Sequence, residues 1–124
     1  MAKGGVTVDQ NVIVTAIESV AETLGTMALV LIHPEDPLAL PEPPGADVTA
    51  AYDGHLDAIK AQVSGNHNLL EMSKRDFRAG YPDRAGAYLV EFLEKLMAEP
   101  GYTQNFSADS QGRLDFSLRD LREL

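Results

Sequence analysis

The sequence predicts a mainly α fold: a three- to four-helix bundle with a proline-rich connection and a short C-terminal β-hairpin or terminal helical turn. Three observations carry this expectation. Apolar residues recur with helical period over the whole stretch from Val8 to Ile32. Two later periodic stretches are each bounded by recognisable stop and start signals. Aromatic content is only 6% with no Trp, so the core must be aliphatic, the material of helix-helix packing. At 124 residues the chain fits one domain, which can bury roughly two thirds of its unfolded surface without a metal or disulfide staple.

The first element places Ile13, Ile17, Val20, Leu24, Met27 and Leu31 on one helical face. Thr7 and Gln10 stand at the spacing of a capping box, and Pro34 ends the helix because the residue before proline avoids the helical well. Beside that face runs a second stripe, Val14, Ala21 and Ala28, widened by Val30 and Ile32. Residues 33–46 contain Pro34, Pro37, Pro41, Pro43 and Pro44, a density that excludes both helix interior and central strand. This segment reads as a semi-rigid strap packing Leu38 and Leu40 on the bundle.

Asp47 is expected to cap a second helix whose apolar face is Val48, Tyr52, Leu56, Ile59 and Val63. At Ser64-Gly65-Asn66 the reading forks. Either Gly65 is left-handed and Asn68 with Glu71 opens a new helix as a capping box, or one helix runs through Gly65 at a cost of about 1 kcal/mol. The coincidence of a stop with a start favours the break. Gly80-Tyr81-Pro82 closes that stretch, and Pro82 opens the next helix, where its missing N–H costs nothing. Ala85, Leu89, Phe92, Leu93 and Leu96 form its buried face, with Glu91 and Lys95 as an i,i+4 ion pair, and Pro100-Gly101 stops it. Residues 101–124 read as an irregular or hairpin tail: Leu114, Phe116 and Leu118 alternate with Arg113, Asp115 and Ser117 as in a half-buried strand that Tyr102 to Phe106 would pair with. A helical turn through Leu118, Leu121 and Leu124 is the alternative.

The absence of cysteine excludes disulfides, thiolate nucleophiles and cysteine-ligated metal clusters. No apolar region follows Lys3, and the most apolar stretch, Leu24 to Ile32, falls far short of the roughly 20 residues that cross a bilayer. A cytoplasmic location and no membrane partner are therefore expected. Charge is uneven: residues 1–59 hold nine acids against Lys3 alone, whereas residues 60–124 hold ten acids and nine bases. An acidic half repels phosphate backbones, so no direct nucleic-acid partner is expected.

Chemistry-bearing groups are sparse. His67 and Glu71 are four apart and would share a helix face as two metal ligands, but His55 lies about 18 Å earlier along a straight helix. Asp53, His55 and Asp57 make a poor acid–base set, because His55 projects away from the two carboxylates. Lys74, Arg75, Arg78 and Arg84 form a small basic cluster, interleaved with Phe77 and Tyr81 and diluted by Asp76 and Asp83. No phosphate loop, nucleophile elbow or metal signature is present, so no cofactor is expected.

The sequence thus favours a small acidic helical interaction module (an adaptor, an accessory or chaperone-like factor, or an inhibitor) that docks a partner protein without catalysis. The basic cluster, and the stripe of Val14, Ala21 and Ala28, are its expected contact residues, the stripe serving a homodimer. The alternatives are a metal-binding protein or enzyme using His67 and Glu71, and an acidic mimic that blocks a nucleic-acid-binding protein.

Overall fold

A computed structural model describes residues 9–32 and 44–124. The chain is mainly helical, with no strand among the described residues. Among the described residues five α-helices follow one another: α1 (Gln10–Ile32), α2 (Ala46–Lys60), α3 (His67–Arg78), α4 (Pro82–Ala98) and α5 (Ala108–Arg122), with a 3-10 turn at Thr103–Asn105.

Helix α1 is the centre of the bundle and packs against α2, α4 and α5, while α3 lies on α4 and α2. Its predicted face is the core: Ile13, Ile17, Val20 and Leu24 are completely buried, and Met27 packs at the margin. Leu31, Val30 and Ile32 lie on α1 beyond the described side chains, and the strap, residues 33–43, lies outside the described residues altogether, as does Thr7. The Thr7–Gln10 box thus falls outside the described residues, among which Asp9 caps α1. The Asp9 carboxylate accepts from the backbone N–H groups of Asn11 (3.0 Å) and Val12 (3.4 Å), and the Asp9 carbonyl also accepts from Val12 at 3.1 Å. The Gln10 side chain is turned outward and accepts from the Ser107 N–H at 2.8 Å, tying the α1 start to the α5 start.

Helix α2 begins two residues earlier than a cap at Asp47 implies, after an extended Gly45 that makes no side-chain cap. Asp47 sits in the first turn, where its charge suits the exposed N–H groups. Tyr52, Leu56, Ile59 and Val63 are buried as expected, but Val48 stands 44% exposed, in a first turn that is exposed throughout from Ala46 to Val48. The favoured break is present, in different detail. Residues 61–66 form the turn, and the left-handed residue is Asn66 (φ 62°) while Gly65 stays outside that region. Asparagine adopts this conformation more readily than most residues other than glycine. No Asn68–Glu71 box forms; Glu71 instead pairs with Lys60 and Lys74.

Helix α4 matches the expected span from Pro82 and buries Ala85, Leu89, Phe92, Leu93 and Leu96. The Glu91–Lys95 pair is not made; on this helix Glu94 reaches Arg122 of α5 at 2.8 Å. A side chain at Gly86 would meet the end of the Leu124 side chain, which lies against α4 there and would have to turn aside.

The C-terminal hairpin is overturned. Ser107 caps α5 by accepting from the Ser110 N–H at 3.1 Å, and Leu114, Leu118 and Leu121 are buried at helical spacing. The strand-like alternation depends on Phe116, which the helix leaves 57% exposed, off its buried stripe. A glycine at 112 inside the helix costs about 1 kcal/mol, which the burial of three leucines easily outweighs.

Helix α5 is also bound electrostatically. Arg113 grips Glu18 with two donors, Nε to Oε2 at 3.0 Å and a terminal nitrogen to Oε1 at 2.6 Å. Hydrogen bonding from Arg113, against a smaller opposing effect of burial, holds the Glu18 carboxyl below the ordinary glutamate range. The lowered pKa stabilises the fold above the pKa of an unfolded glutamate, and that stabilisation is lost as pH falls through the lowered folded value. Chemical-denaturation midpoints should therefore separate wild type from Glu18→Gln at near-neutral pH and draw together in acid. A difference that stayed constant down to acid pH would show that the pair contributes nothing.

Candidate functional site

The basic cluster between α3 and α4 is largely neutralised. Lys74 bonds Asp57 of α2 and lies 3.0 Å from Glu71; Arg78 bonds Asp53 of α2 at 2.6 Å; Arg75 approaches Asp76 at 3.4 Å. Burial opposes the charge on Lys74, but Asp57 and Glu71 together outweigh it and hold the ammonium above its ordinary range. Arg84 stacks over the Tyr81 ring, 4.4 Å from its centre. The acids of α2 therefore face the bases of α3, and part of the charge asymmetry along the chain cancels across this contact. Pairs at this exposure contribute roughly 0.2–1 kcal/mol each and orient α2 on α3 more than they stabilise it.

His67 and Glu71 do share α3, but the fold turns them to different tasks. A ring nitrogen of His67 bonds the Val63 carbonyl at 2.8 Å, closing the turn that precedes the helix. Glu71 lies between Lys60 and Lys74, and the hydrogen bond from Lys74, with burial opposing, lowers its pKa. His55 lies on the other side of α2, in a shallow depression with Asn11, Val12 and Thr15 of α1. No group of three or more potential His, Cys, Asp or Glu ligands comes together among the described residues.

The stripe of Val14, Ala21 and Ala28 has a different fate from the one expected. Val14 is completely buried and Ala21 is 8% exposed, on the side of α1 that carries Glu18 and faces α5. Small side chains there do permit close helix approach, but the helix that approaches is the chain's own α5. Pairing of two copies through this stripe would first require α5 to leave. Ala28, half-buried, lies past the end of that contact and lines an open groove.

That groove, of about 600 Å³, runs between the C-terminal half of α1 and the outer face of α5. Its floor is Ala21, Gly25 and Ala28, its walls include Phe116 and Leu124, and Glu18, Glu22, Asp120 and Glu123 stand around it. A second groove of about 590 Å³ lies across α1, where Thr23 and Met27 face Pro44 and Val48. Glu22 and Thr26 belong to both grooves and form the ridge between them. Val48 and Phe116 are the two large hydrophobic side chains that are exposed among the described residues, and each lines one of these grooves. Exposed apolar surface is thus gathered on one face, on either side of one helical ridge. The sequence pattern places both residues on inward faces, and the structure turns both outward. For Phe116 the signal was present in the helical spacing of Leu114, Leu118 and Leu121, which leaves it off the buried stripe. For Val48, on the same stripe as Tyr52 and Leu56, no local signal distinguished it.

No protein family, curated protein or solved structure matches this chain. None of the described helices is long and apolar enough to cross a membrane.

Proposed function

We propose that this protein is a non-catalytic interaction module of the cytoplasm, an adaptor, accessory or chaperone-like factor, or inhibitor, that docks another protein. The observation that supports this reading is the pairing of Val48 and Phe116 with grooves on both sides of the Glu22–Thr26 ridge. Scattered exposed hydrophobes are ordinary, but here the two large ones border concave surface on one face, which is what a docking surface requires. The lining of the larger groove combines carboxylates, small and apolar side chains, an aromatic ring and the hydroxyls of Thr26 and Ser117, with no histidine or lysine beside those hydroxyls to act as a base, which supports binding over nucleophilic chemistry. With α5 over Val14 and Ala21, this reading takes the partner to be a different protein, and takes Lys74 and Arg78, paired with Asp57 and Asp53 of α2, to serve the fold.

Affinity capture from native cells tests this. A Val48→Ser/Phe116→Ser variant changes two exposed positions and should keep its helical circular dichroism, since surface substitutions cost about 0.5 kcal/mol or less. Proteins recovered on the wild type should be lost on this variant and retained on Glu91→Gln, an exposed change on α4. Recovery of the same proteins by all three would reject the proposed face.

A further inference from the structure

The groove between α1 and α5 has the shape and charge of a seat for one kind of occupant. From Glu18 to Ala28 it follows α1 for about 15 Å, the length of roughly three helical turns. Its floor of alanine and glycine lets another helix come close, as small residues do wherever helices pack at the short end of the 8–10 Å range. Phe116 offers an apolar anchor at one side; Arg119 lies over its ring 4.8 Å from the centre and covers one face only. Four carboxylates surround the groove and no lysine or arginine lines it. Arg113 neutralises Glu18, but Glu22, Asp120 and Glu123 make no ion pair among the described residues. The second groove differs: hydroxyl groups and Glu22 alone provide its polar lining.

Resting on the interaction-module reading, we propose that the α1–α5 groove binds a cationic amphipathic helix of a partner protein. Its apolar side would lie on Ala28, Leu124 and Phe116, and its lysines or arginines would reach Glu22, Asp120 and Glu123. Charge selects against the other occupants. Residues 33–43 of the chain itself contain Glu35, Asp36 and Glu42 with no lysine or arginine, and a second copy brings a net charge of −9 toward the same carboxylates. Like charges brought together at a contact oppose both.

The test uses a synthetic leucine–lysine helical peptide of about 18 residues, long enough to fold against a groove, and its leucine–glutamate counterpart. Fluorescence anisotropy with the intact protein should show saturable binding of the lysine peptide alone, weakened as salt rises from about 50 to about 300 mM. Phe116→Ser should weaken binding about tenfold, as loss of a central aromatic anchor does. Glu22→Lys/Asp120→Lys should weaken it at least as much, while Glu91→Lys/Glu99→Lys, with the same change in net charge on α4 and at its C-terminal cap, should alter it by about twofold or less. Equal losses from the two double reversals would overturn the proposal, because only diffuse attraction would be at work. Binding that appears only after Leu38→Ser/Leu40→Ser would assign the groove to the chain's own residues 33–43. A dimer in sedimentation that Phe116→Ser abolishes would assign it to a second copy. If capture recovers a partner through Val48 and Phe116 but the lysine peptide fails to bind, the interaction-module reading stands and the cationic occupant is rejected.

Discussion

Ile17→Asp is expected to leave the chain unfolded or molten at room temperature, with Leu24→Asp close behind. Both side chains are completely buried near the middle of α1, the helix that touches α2, α4 and α5 at once. A carboxylate placed there has no cationic partner and must either stay charged in an apolar setting or take up a proton. Either course costs several kcal/mol, and the lost packing adds to it. A domain of this size holds only about 5–15 kcal/mol in total. Thr26→Asp, on the exposed ridge of the same helix, provides the control and should change stability by about 0.5 kcal/mol or less. Circular dichroism with urea titration measures all three. Melting of both core variants within a few degrees of wild type would show that α1 is not the core helix.

Phe77→Ala should cost about 3–5 kcal/mol, the range for removing a fully buried aromatic ring. Its ring lies parallel to Tyr52, with centres 3.8 Å apart and planes within 5°, so its loss also opens the contact between α2 and α3. Tyr52→Phe keeps that stack and should cost only about 1 kcal/mol. The difference follows from a short polar chain through the core. Ser73 donates its single proton to the Ala85 carbonyl at 2.8 Å, so the Tyr52 hydroxyl must be the donor across the 2.6 Å contact with Ser73. Burial raises the Tyr52 pKa far above its ordinary value, against a smaller opposing effect of the Ser73 bond, which keeps the hydroxyl neutral and able to donate. One chain of two hydrogen bonds thus links α2, α3 and α4. Urea denaturation of the two variants should separate them by at least about 2 kcal/mol. Equal losses would mean that the hydroxyl, and not the ring, holds this contact.

Local periodicity and backbone chemistry are what the sequence by itself determined. The Ile13–Ile17–Val20–Leu24 stripe defines α1, because side chains three and four apart fall on one face whatever else the chain does. Pro82 opens α4 and Gly80, at φ 90°, closes the stretch before it, for reasons contained in those residues. The turn after α2 was legible in the same way, although the left-handed position passed to Asn66. Tertiary structure alone decided which apolar residues are covered. Val14 and Ala21 look like a surface left for a second copy until α5, from nearly a hundred residues away, lies on them. Helix α5 was itself hidden, because Leu114, Phe116 and Leu118 satisfy a strand's period as well as Leu114, Leu118 and Leu121 satisfy a helix's. Packing on α1 and α4 resolves that ambiguity by burying three leucines and leaving Phe116 outside. The candidate groove arises at the same step, since it exists only where α1 extends past the covered stretch and α5 turns an aromatic ring toward it. A period of residues is written in neighbours, whereas a groove is written in the relation of two distant helices, which only the folded chain brings together.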